Sequence, residues 1–261
     1  MLILLSPAKT LDFERPPVTR KHSEPRFLEE SAALVELLRD RSPADLAELM
    51  QVSDAIAELN ARRFTAWQPP FTPATARQAV LAFRGDVYTG LEADAWTARD
   101  FDRAQKHLRI LSGLYGVLRP LDLIQAYRLE MGTRLANDRG RDLYAFWRER
   151  ITASLAEELA GRRDRLVVNL ASKEYFGAVD ADALPGRLVT PVFKDLKKGS
   201  YRTLGFFAKK ARGRMASWIV REGVRSEAGL RDFAEDGYAL NDALTEAAPD
   251  GTLVFTRDGT A

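Results

Sequence analysis

The chain has 261 residues, of which 46% are hydrophobic and 29% are charged, a composition typical of a globular protein. It contains no cysteine and only two histidines, which excludes disulfides, thiolate catalysis and metal sites built from cysteine or histidine. The formal net charge of +2 by itself indicates no acidic partner. We therefore expect a protein without a metal or another cofactor.

The amino-terminal segment MLILLSPAKTLDF resembles neither a signal peptide nor a membrane span. Its apolar run is only five residues long, and no basic residues precede it. No later stretch approaches the roughly 18 uninterrupted apolar residues that a membrane helix requires. We expect a cytoplasmic protein that does not enter a membrane, and the sequence indicates no obligate protein partner.

The first half of the chain is predicted to begin with a buried strand and to continue mainly as helices. The strand lies at 2–5, where four apolar residues precede the break at Pro7. Apolar residues spaced three and four apart predict a helix over 27–39.

Capping residues indicate three further helix starts. Ser42 is followed by Pro43, the order expected for an N-cap and the first helical position, and Ser53 is another candidate cap. Thr97, with an aspartate three residues later, predicts a capped helix that runs to about Ser112.

The second half is predicted to contain most of the strands. They lie at 127–131, 165–172, 187–193, 201–206 and 251–257. Long helices are predicted between about 142 and 159 and over 205–220. This order predicts an α/β (mixed α+β) fold, a single compact domain over residues 1–261 with a central, mostly β core surrounded by helices.

Basic residues are concentrated in one segment, 187–225. It contains eleven lysines and arginines against two acidic residues, a net charge of +9, which leaves −7 for the rest of the chain. A solvated basic face is the ordinary explanation for such a run. In a nearly neutral protein, however, a local basic segment also suits a binding site for a polyanion.

The helix predicted over 205–220 places two basic residues on its apolar side. Its inward face carries Ala208, Ala211, Met215, Trp218 and Ile219, and its outer stripe carries Lys210, Arg214, Ser217 and Arg221. Lys209 and Arg212 fall between apolar and small residues instead. A buried, unpaired charge costs several kcal/mol, so each must reach water, pair with an acid or face a cleft. Gly213 beside them permits close approach of another backbone.

Two polar clusters follow predicted strands. In SPAKT, directly after the first strand, Ser6, Lys9 and Thr10 could contact a phosphate, although a helix cap and a surface lysine explain them equally well. The segment NLASKEYF ends another strand with the polar residues Asn169, Ser172, Lys173, Glu174 and Tyr175.

A third cluster, YRLEMGT, contains neighbouring opposite charges. Arg128 and Glu130 lie on one face of the predicted strand, opposite Tyr127 and Leu129. The pair is either a structural salt bridge or an acid–base couple, and the sequence does not separate the two.

The segment LSGLYGVLRP contains two glycines between apolar runs. A helix-hairpin-helix module uses a glycine hairpin to offer backbone N–H groups to DNA phosphates. Gly113 and Gly116 are three residues apart rather than the usual two, so a simple helix-terminating turn is the alternative.

Five blocks taken together resemble the YaaA peroxide-stress-resistance family. They are LILLSPAKTLDF, AFRGDVYTGL, RILSGLYGVLRPLDLIQAYRLEMGT, NLASKEYF and VFKDLKKGSYRTLGFFAKKARGRM, in order along nearly the whole chain. One departure is Ala126, where the family pattern has proline before YRLEMGT.

The resemblance implies a cytoplasmic bacterial protein that helps cells survive hydrogen peroxide by holding down unincorporated iron. It also implies an α/β fold of unusual topology with a basic cleft, duplex DNA binding and a helix-hairpin-helix-like element, which maps onto Leu111–Pro120. It does not imply a defined enzymatic reaction.

Two functional hypotheses remain open, and the sequence favours the first. This is a DNA-binding stress protein whose affinity falls steeply with salt. The predicted nucleic-acid or phosphate contacts are Ser6, Lys9, Thr10, Gly113, Gly116, Arg119, Arg128, Asn169, Ser172, Tyr175, Lys194, Lys197, Lys198, Lys209, Lys210, Arg212 and Arg214.

The alternative is an enzyme that acts on a nucleotide, nucleobase or damaged DNA, with Glu130 and Lys209 as candidate catalytic residues. That hypothesis requires most of the predicted polar groups to converge on one cleft. Direct iron sequestration is disfavoured because the chain has too few cysteines and histidines.

Overall fold

A mostly parallel sheet forms the centre of the protein. The computed structural model describes residues 1–259, so the last two residues of the domain predicted over 1–261 lie outside the described residues. Within this range the sheet has 8 strands, with helices packed around it, and the chain is a mixed α/β single compact domain.

Strands and helices are interspersed along the chain. The strands are β1 (Leu2–Leu5), β2 (Thr10–Leu11), β3 (Arg77–Gln78), β4 (Phe83–Arg84), β5 (Leu108–Ser112), β6 (Gly116–Leu118), β7 (Leu123–Ile124), β8 (Leu166–Asn169), β9 (Arg187–Lys197), β10 (Ser200–Arg202), β11 (Ala239–Leu240) and β12 (Thr252–Arg257). The helices are α1 (Leu28–Arg39), α2 (Pro43–Met50), α3 (Asp54–Ala66), α4 (Ala79–Ala82), α5 (Asp86–Leu91), α6 (Ala98–His107), α7 (Leu143–Ala160), α8 (Lys173–Phe176), α9 (Gly205–Glu222), α10 (Glu227–Leu230) and α11 (Asp242–Glu246). A short 3₁₀ helix spans Ala93–Ala95.

The first strand lies in the middle of the sheet because both of its faces are apolar. In spatial order the strands are β11-β12-β9-β8-β1-β5-β6, and β10 pairs with β9. β1 pairs in parallel with β5 on one side and with β8 on the other. All four of its side chains are fully buried, which is the pattern of a parallel strand covered on both faces.

Several elements confirm the sequence predictions closely. Ser42 accepts a hydrogen bond from the backbone of the third helical residue, whose carboxylate returns one, and Pro43 occupies the first position of α2. Thr97 forms the same capping box at the start of α6. Ser53 is the N-cap residue of α3, although its side chain makes no capping hydrogen bond.

Three other predictions of elements or their boundaries were wrong. The helix predicted from Thr97 to Ser112 ends at His107, and the remaining residues form β5 beside β1. Residues 127–131, predicted as a strand, are irregular. In the segment 201–206, β10 ends at Arg202 and α9 begins at Gly205.

The predicted helix-hairpin-helix element is a β-hairpin. β5 and β6 pair antiparallel, with Ser112 opposite Gly116. Gly113 is buried and its carbonyl accepts a hydrogen bond of 2.8 Å from Trp147 Nε1. A Cβ at Gly116 would lie 2.6 Å from the Trp147 ring. Because both glycines are enclosed by the protein, this turn cannot present N–H groups to a phosphate.

Helices α5 and α9 cross at unusually close range. A Cβ at Gly213 would lie 1.8 Å from the carbonyl oxygen of Val87, and one at Gly90 would lie 2.0 Å from that of Lys210. Only glycine permits two backbones to approach so closely. The close approach predicted at Gly213 is confirmed, and it places the start of α5 beside the basic residues of α9.

A helix that crosses a membrane must be both long and apolar. Among residues 1–259, no helix is both long enough and apolar enough to cross a bilayer.

Candidate ligand-binding cleft

A cleft of about 530 Å³ lies where the loops after β1 and β8 meet the helix α9. β1 and β8 are parallel, so their carboxyl ends lie at the same edge of the sheet. Open parallel sheets commonly bind ligands at that edge. The cleft volume falls within the range of about 300–1,000 Å³ that is typical of small-molecule sites.

The two loops are joined by serine hydrogen bonds. The backbone N–H of Ser172 donates to Ser6 Oγ over 2.8 Å, and Ser172 Oγ caps α8 by accepting from the Tyr175 N–H. The Tyr88 hydroxyl donates to the Ser6 carbonyl over 3.1 Å. Ser6 and Ser172 line the cleft, but much of their hydrogen-bonding capacity serves to hold its floor together.

On a second wall of the cleft, the carboxylate of Glu130 pairs with two basic side chains. Glu130 Oε1 lies 2.9 Å from Lys9 Nζ and 3.1 Å from Arg128 Nη2. The segment that carries Glu130 packs closely on the β5–β6 turn, since a Cβ at Gly113 would lie 2.3 Å from the Leu129 carbonyl oxygen. Glu130 is therefore an acceptor that orients two positive groups toward the cleft.

The opposite wall is formed by α9 and the start of α5. Lys209 Nζ lies 3.9 Å from Asp86 Oδ2, a loose ion pair. Arg212 lines the cleft, is half-buried and pairs with no acidic side chain in residues 1–259. Burial lowers the pKa of its guanidinium, which nevertheless stays positively charged. The two residues that the helical pattern placed on the apolar side of α9 therefore face a cleft.

Tyrosines form the deeper part of the site. Tyr127 and Tyr175 line the cleft, and burial raises the pKa of both hydroxyls above the ordinary value. Both therefore stay neutral at physiological pH. The Tyr127 hydroxyl shares a 2.6 Å hydrogen bond with Ser112 Oγ, which ties the cleft floor to β5.

Of the predicted contacts, nearly half line this cleft. Those that do are Ser6, Lys9, Thr10, Arg128, Ser172, Tyr175, Lys209 and Arg212, together with the candidate catalytic residue Glu130. Arg84, Gly85 and Asp86 also line the cleft and were not predicted as contacts, although all three lie in the AFRGDVYTGL block.

The other predicted contacts lie elsewhere. Asn169 is buried, and its Oδ1 accepts from the Ala171 N–H. Arg119 pairs with Asp122 at 2.9 Å. Neither residue lines the cleft.

The outer basic stripe predicted on α9 is largely paired. Lys210 lies 3.4 Å from Asp236, and Arg214 binds both oxygens of Glu92 over 2.8 Å. Ser217, placed on the same stripe, is buried and accepts a hydrogen bond from Trp96 Nε1. Acidic residues from other parts of the fold therefore offset part of the basic segment's charge.

The cleft itself is mixed in charge. Its basic residues are Lys9, Arg84, Arg128, Lys209 and Arg212, and its acidic residues are Asp86, Glu130 and Glu174. Within the described part of the chain, no group of three or more His, Cys, Asp or Glu side chains is arranged to hold a metal ion.

These features define an α/β protein with a polar, mixed-charge cleft at the carboxyl edge of a parallel sheet. Residues 1–244 match the family model described as "Peroxide stress protein YaaA", and the chain belongs to that family. It is also 54% identical over 258 residues to a protein of Cellvibrio japonicus (strain Ueda107) named only as a UPF0246 protein, with 99% of each chain covered. The family resemblance stated from the sequence is confirmed.

Proposed function

We propose that this peroxide stress protein works in the cytoplasm by binding a small phosphate-bearing, nucleotide-like ligand in the cleft between Lys9, Glu130 and Arg212. The observation that carries the proposal is Arg212. Its half-buried guanidinium has no acidic partner among the described residues and faces a cleft that Lys9 and Lys209 also line. A partly desolvated cation without a counterion is the group that an anionic ligand would complete.

The remaining walls support an anion of nucleotide size. Lys9 and Arg128 are already oriented by Glu130, so they would lose little freedom on binding. The neutral tyrosines Tyr127 and Tyr175 supply apolar ring surface at the deeper end. We propose that protection against peroxide depends on this binding step and that any effect on unincorporated iron follows from it indirectly.

Replacement of Arg212 by alanine should weaken the binding of AMP and of inorganic pyrophosphate by about 10- to 100-fold, the effect of losing one charged hydrogen bond. Isothermal titration calorimetry with the purified protein measures both affinities. The same variant, supplied to bacteria that lack their own family member, should restore less survival in hydrogen peroxide than the native chain.

Arg221→Ala is the matched control, because Arg221 is an exposed arginine on the same helix that does not line the cleft. It should bind both probes like the native protein. Equal affinities for the Arg212 and Arg221 variants would contradict the proposal.

A catalytic role for Glu130 and Lys209 remains a prediction within this proposal. Glu130 contacts two cations, and in that arrangement it orients Lys9 and Arg128. Should a bound phosphate draw those cations away, the carboxylate would be released to accept a proton from the ligand.

Duplex DNA is the second candidate ligand, and the β9–β10 turn favours it. β9 pairs with β8 from Arg187 to Val189 and then continues beyond the end of β8, paired there with β12 and β10. It ends at Lys197, and this exposed lysine and the exposed Lys198 of the following turn lie toward the edge that also holds the cleft. Such a projecting basic turn could contact a phosphate backbone near a ligand bound in the cleft.

If the turn contacts DNA, the double variant Lys197→Ala/Lys198→Ala should lower the slope of log affinity against log salt by about 2. Each phosphate contact contributes about 0.9 to that slope. Fluorescence anisotropy with a labelled duplex at several salt concentrations measures it. An unchanged slope would exclude the turn from the DNA interface.

A further inference from the structure

Phe206 is the most exposed of the large hydrophobic side chains in residues 1–259. It is 60% exposed and lies in the first turn of α9, a helix whose later turns are well packed. Single exposed apolar residues are common on protein surfaces. The position of this one makes it informative, because it comes three residues before Lys209.

Residues three apart on a helix lie on the same face, with Cβ atoms about 5–6 Å apart. Lys209 lines the cleft and Phe206 does not, so the ring lies just outside the wall that the ammonium group forms. A ligand whose anionic group binds at Lys209 would therefore pass within reach of an exposed aromatic ring.

The ring of Phe206 is supported rather than loose. It packs at 76° against the ring of Phe207, with 5.4 Å between centroids. The guanidinium of Arg257 lies over the Phe207 ring, 4.8 Å from its centroid. Phe207 is thus held in place from β12, and it supports Phe206 while most of that ring faces solvent.

We infer that Phe206 is a stacking platform for an unpaired nucleobase whose phosphate is bound by Lys209 and Arg212. The inference rests on the proposed function and narrows its ligand to a nucleotide with a free base. A cation beside an exposed aromatic ring is the arrangement that holds unpaired nucleotides, because the phosphate and the base face are recognised separately. Bases inside a duplex are covered by their neighbours and cannot stack in this way.

The test compares two probes that differ only in the base, AMP and ribose 5-phosphate. Phe206→Ala should lower the affinity for AMP about tenfold and leave that for ribose 5-phosphate unchanged. Phe206→Leu, which retains apolar bulk without a ring, should behave like the alanine variant, and Phe206→Trp should retain the native affinity. Leu37→Ala, at an exposed apolar position on α1, should change neither affinity.

The outcomes separate this inference from the proposed function. Arg212→Ala should weaken the binding of both probes. If Arg212→Ala has this effect but Phe206→Ala does not change the affinity for AMP, the phosphate site is retained and the stacking role is overturned. Equal losses of AMP and ribose 5-phosphate in Phe206→Ala would also overturn it. If the native protein binds neither probe and does not bind a 5′-phosphorylated single-stranded octanucleotide, the stacking inference and the proposed function are both overturned.

The octanucleotide also distinguishes the two sources of an unpaired base. Tighter binding of AMP than of the octanucleotide would identify a free mononucleotide, and the reverse order would identify a single strand. Tighter binding of the same sequence when it is closed into a hairpin duplex would contradict stacking on Phe206.

Discussion

Replacement of Asp195 by asparagine should destabilise the protein by about 3–5 kcal/mol, the usual cost of removing one partner from a buried ion pair. Asp195 is fully buried on β9. Its carboxylate accepts from Arg257 Nη2 over 2.6 Å and from the Tyr238 hydroxyl over 2.9 Å. The substitution leaves a mostly buried guanidinium without its counterion, and that loss of electrostatic compensation dominates the effect.

Urea denaturation measures the free energy of unfolding. An unchanged slope of that free energy against urea concentration would show that the variant exposes the same surface area on unfolding as the native protein. Asp250→Asn is the matched control, because Asp250 pairs with Arg187 at an exposed position and should contribute no more than about 1 kcal/mol. Removing both charges, in Asp195→Asn/Arg257→Gln, should cost less than the sum of the single variants. If Asp195→Asn is no less stable than Asp250→Asn, the ion pair does not stabilise the fold.

Replacement of Gly213 by alanine should destabilise the protein by about 1–3 kcal/mol, although alanine favours helix by about 1 kcal/mol over glycine. The new Cβ would lie 1.8 Å from the Val87 carbonyl oxygen. Because the obstacle is a backbone atom, α5 and α9 must move apart. The same movement would separate Asp86 from Lys209 and Arg212, so the affinity for AMP should fall as well.

Gly205→Ala provides the control on the same helix, since a Cβ there meets no atom within 4 Å. It should leave stability and AMP affinity at or slightly above the native values. Thermal unfolding and calorimetric titration of the two variants make the comparison. A Gly213 variant as stable as the Gly205 variant would show that the crossing of the two helices is not close-packed.

Local patterns predicted the elements whose causes lie within a few residues. The capping box of α2 needs only Ser42, Pro43 and the aspartate at the third helical position, and it formed as predicted. Likewise, helical periodicity alone identified Lys209 and Arg212 as misplaced on the apolar side of α9. The structure resolves that misplacement by placing both residues in the wall of the cleft.

Predictions failed where a distant strand decided the conformation. The residues of β5 continue the apolar pattern of α6, so nothing local separates helix from strand at Leu108. Pairing with β1, more than one hundred positions earlier, makes the difference. The same pairing turned the supposed helical hairpin at Gly113 into a β-hairpin, because backbone groups beside an existing strand gain ladder hydrogen bonds.

Charge was also incompletely predictable from the sequence. The net charge of the segment 187–225 is a sum over the chain, whereas electrostatic effect depends on spatial partners. Arg187, Lys210 and Arg214 each pair with acids that lie outside that segment. Arg212 lacks such a partner among the described residues, and only the tertiary structure shows which of these charges are paired.

By itself, the sequence determined the family, the α/β class, the capped helices and the placement of two basic residues on the apolar side of a helix. All of these features depend on the order and spacing of nearby residues, which are the same whether or not the chain is folded. Only the tertiary structure decided that Lys9, Glu130 and Arg212 line the same cleft. They come from three distant segments, and the parallel sheet and the glycine crossing of α5 with α9 bring them together.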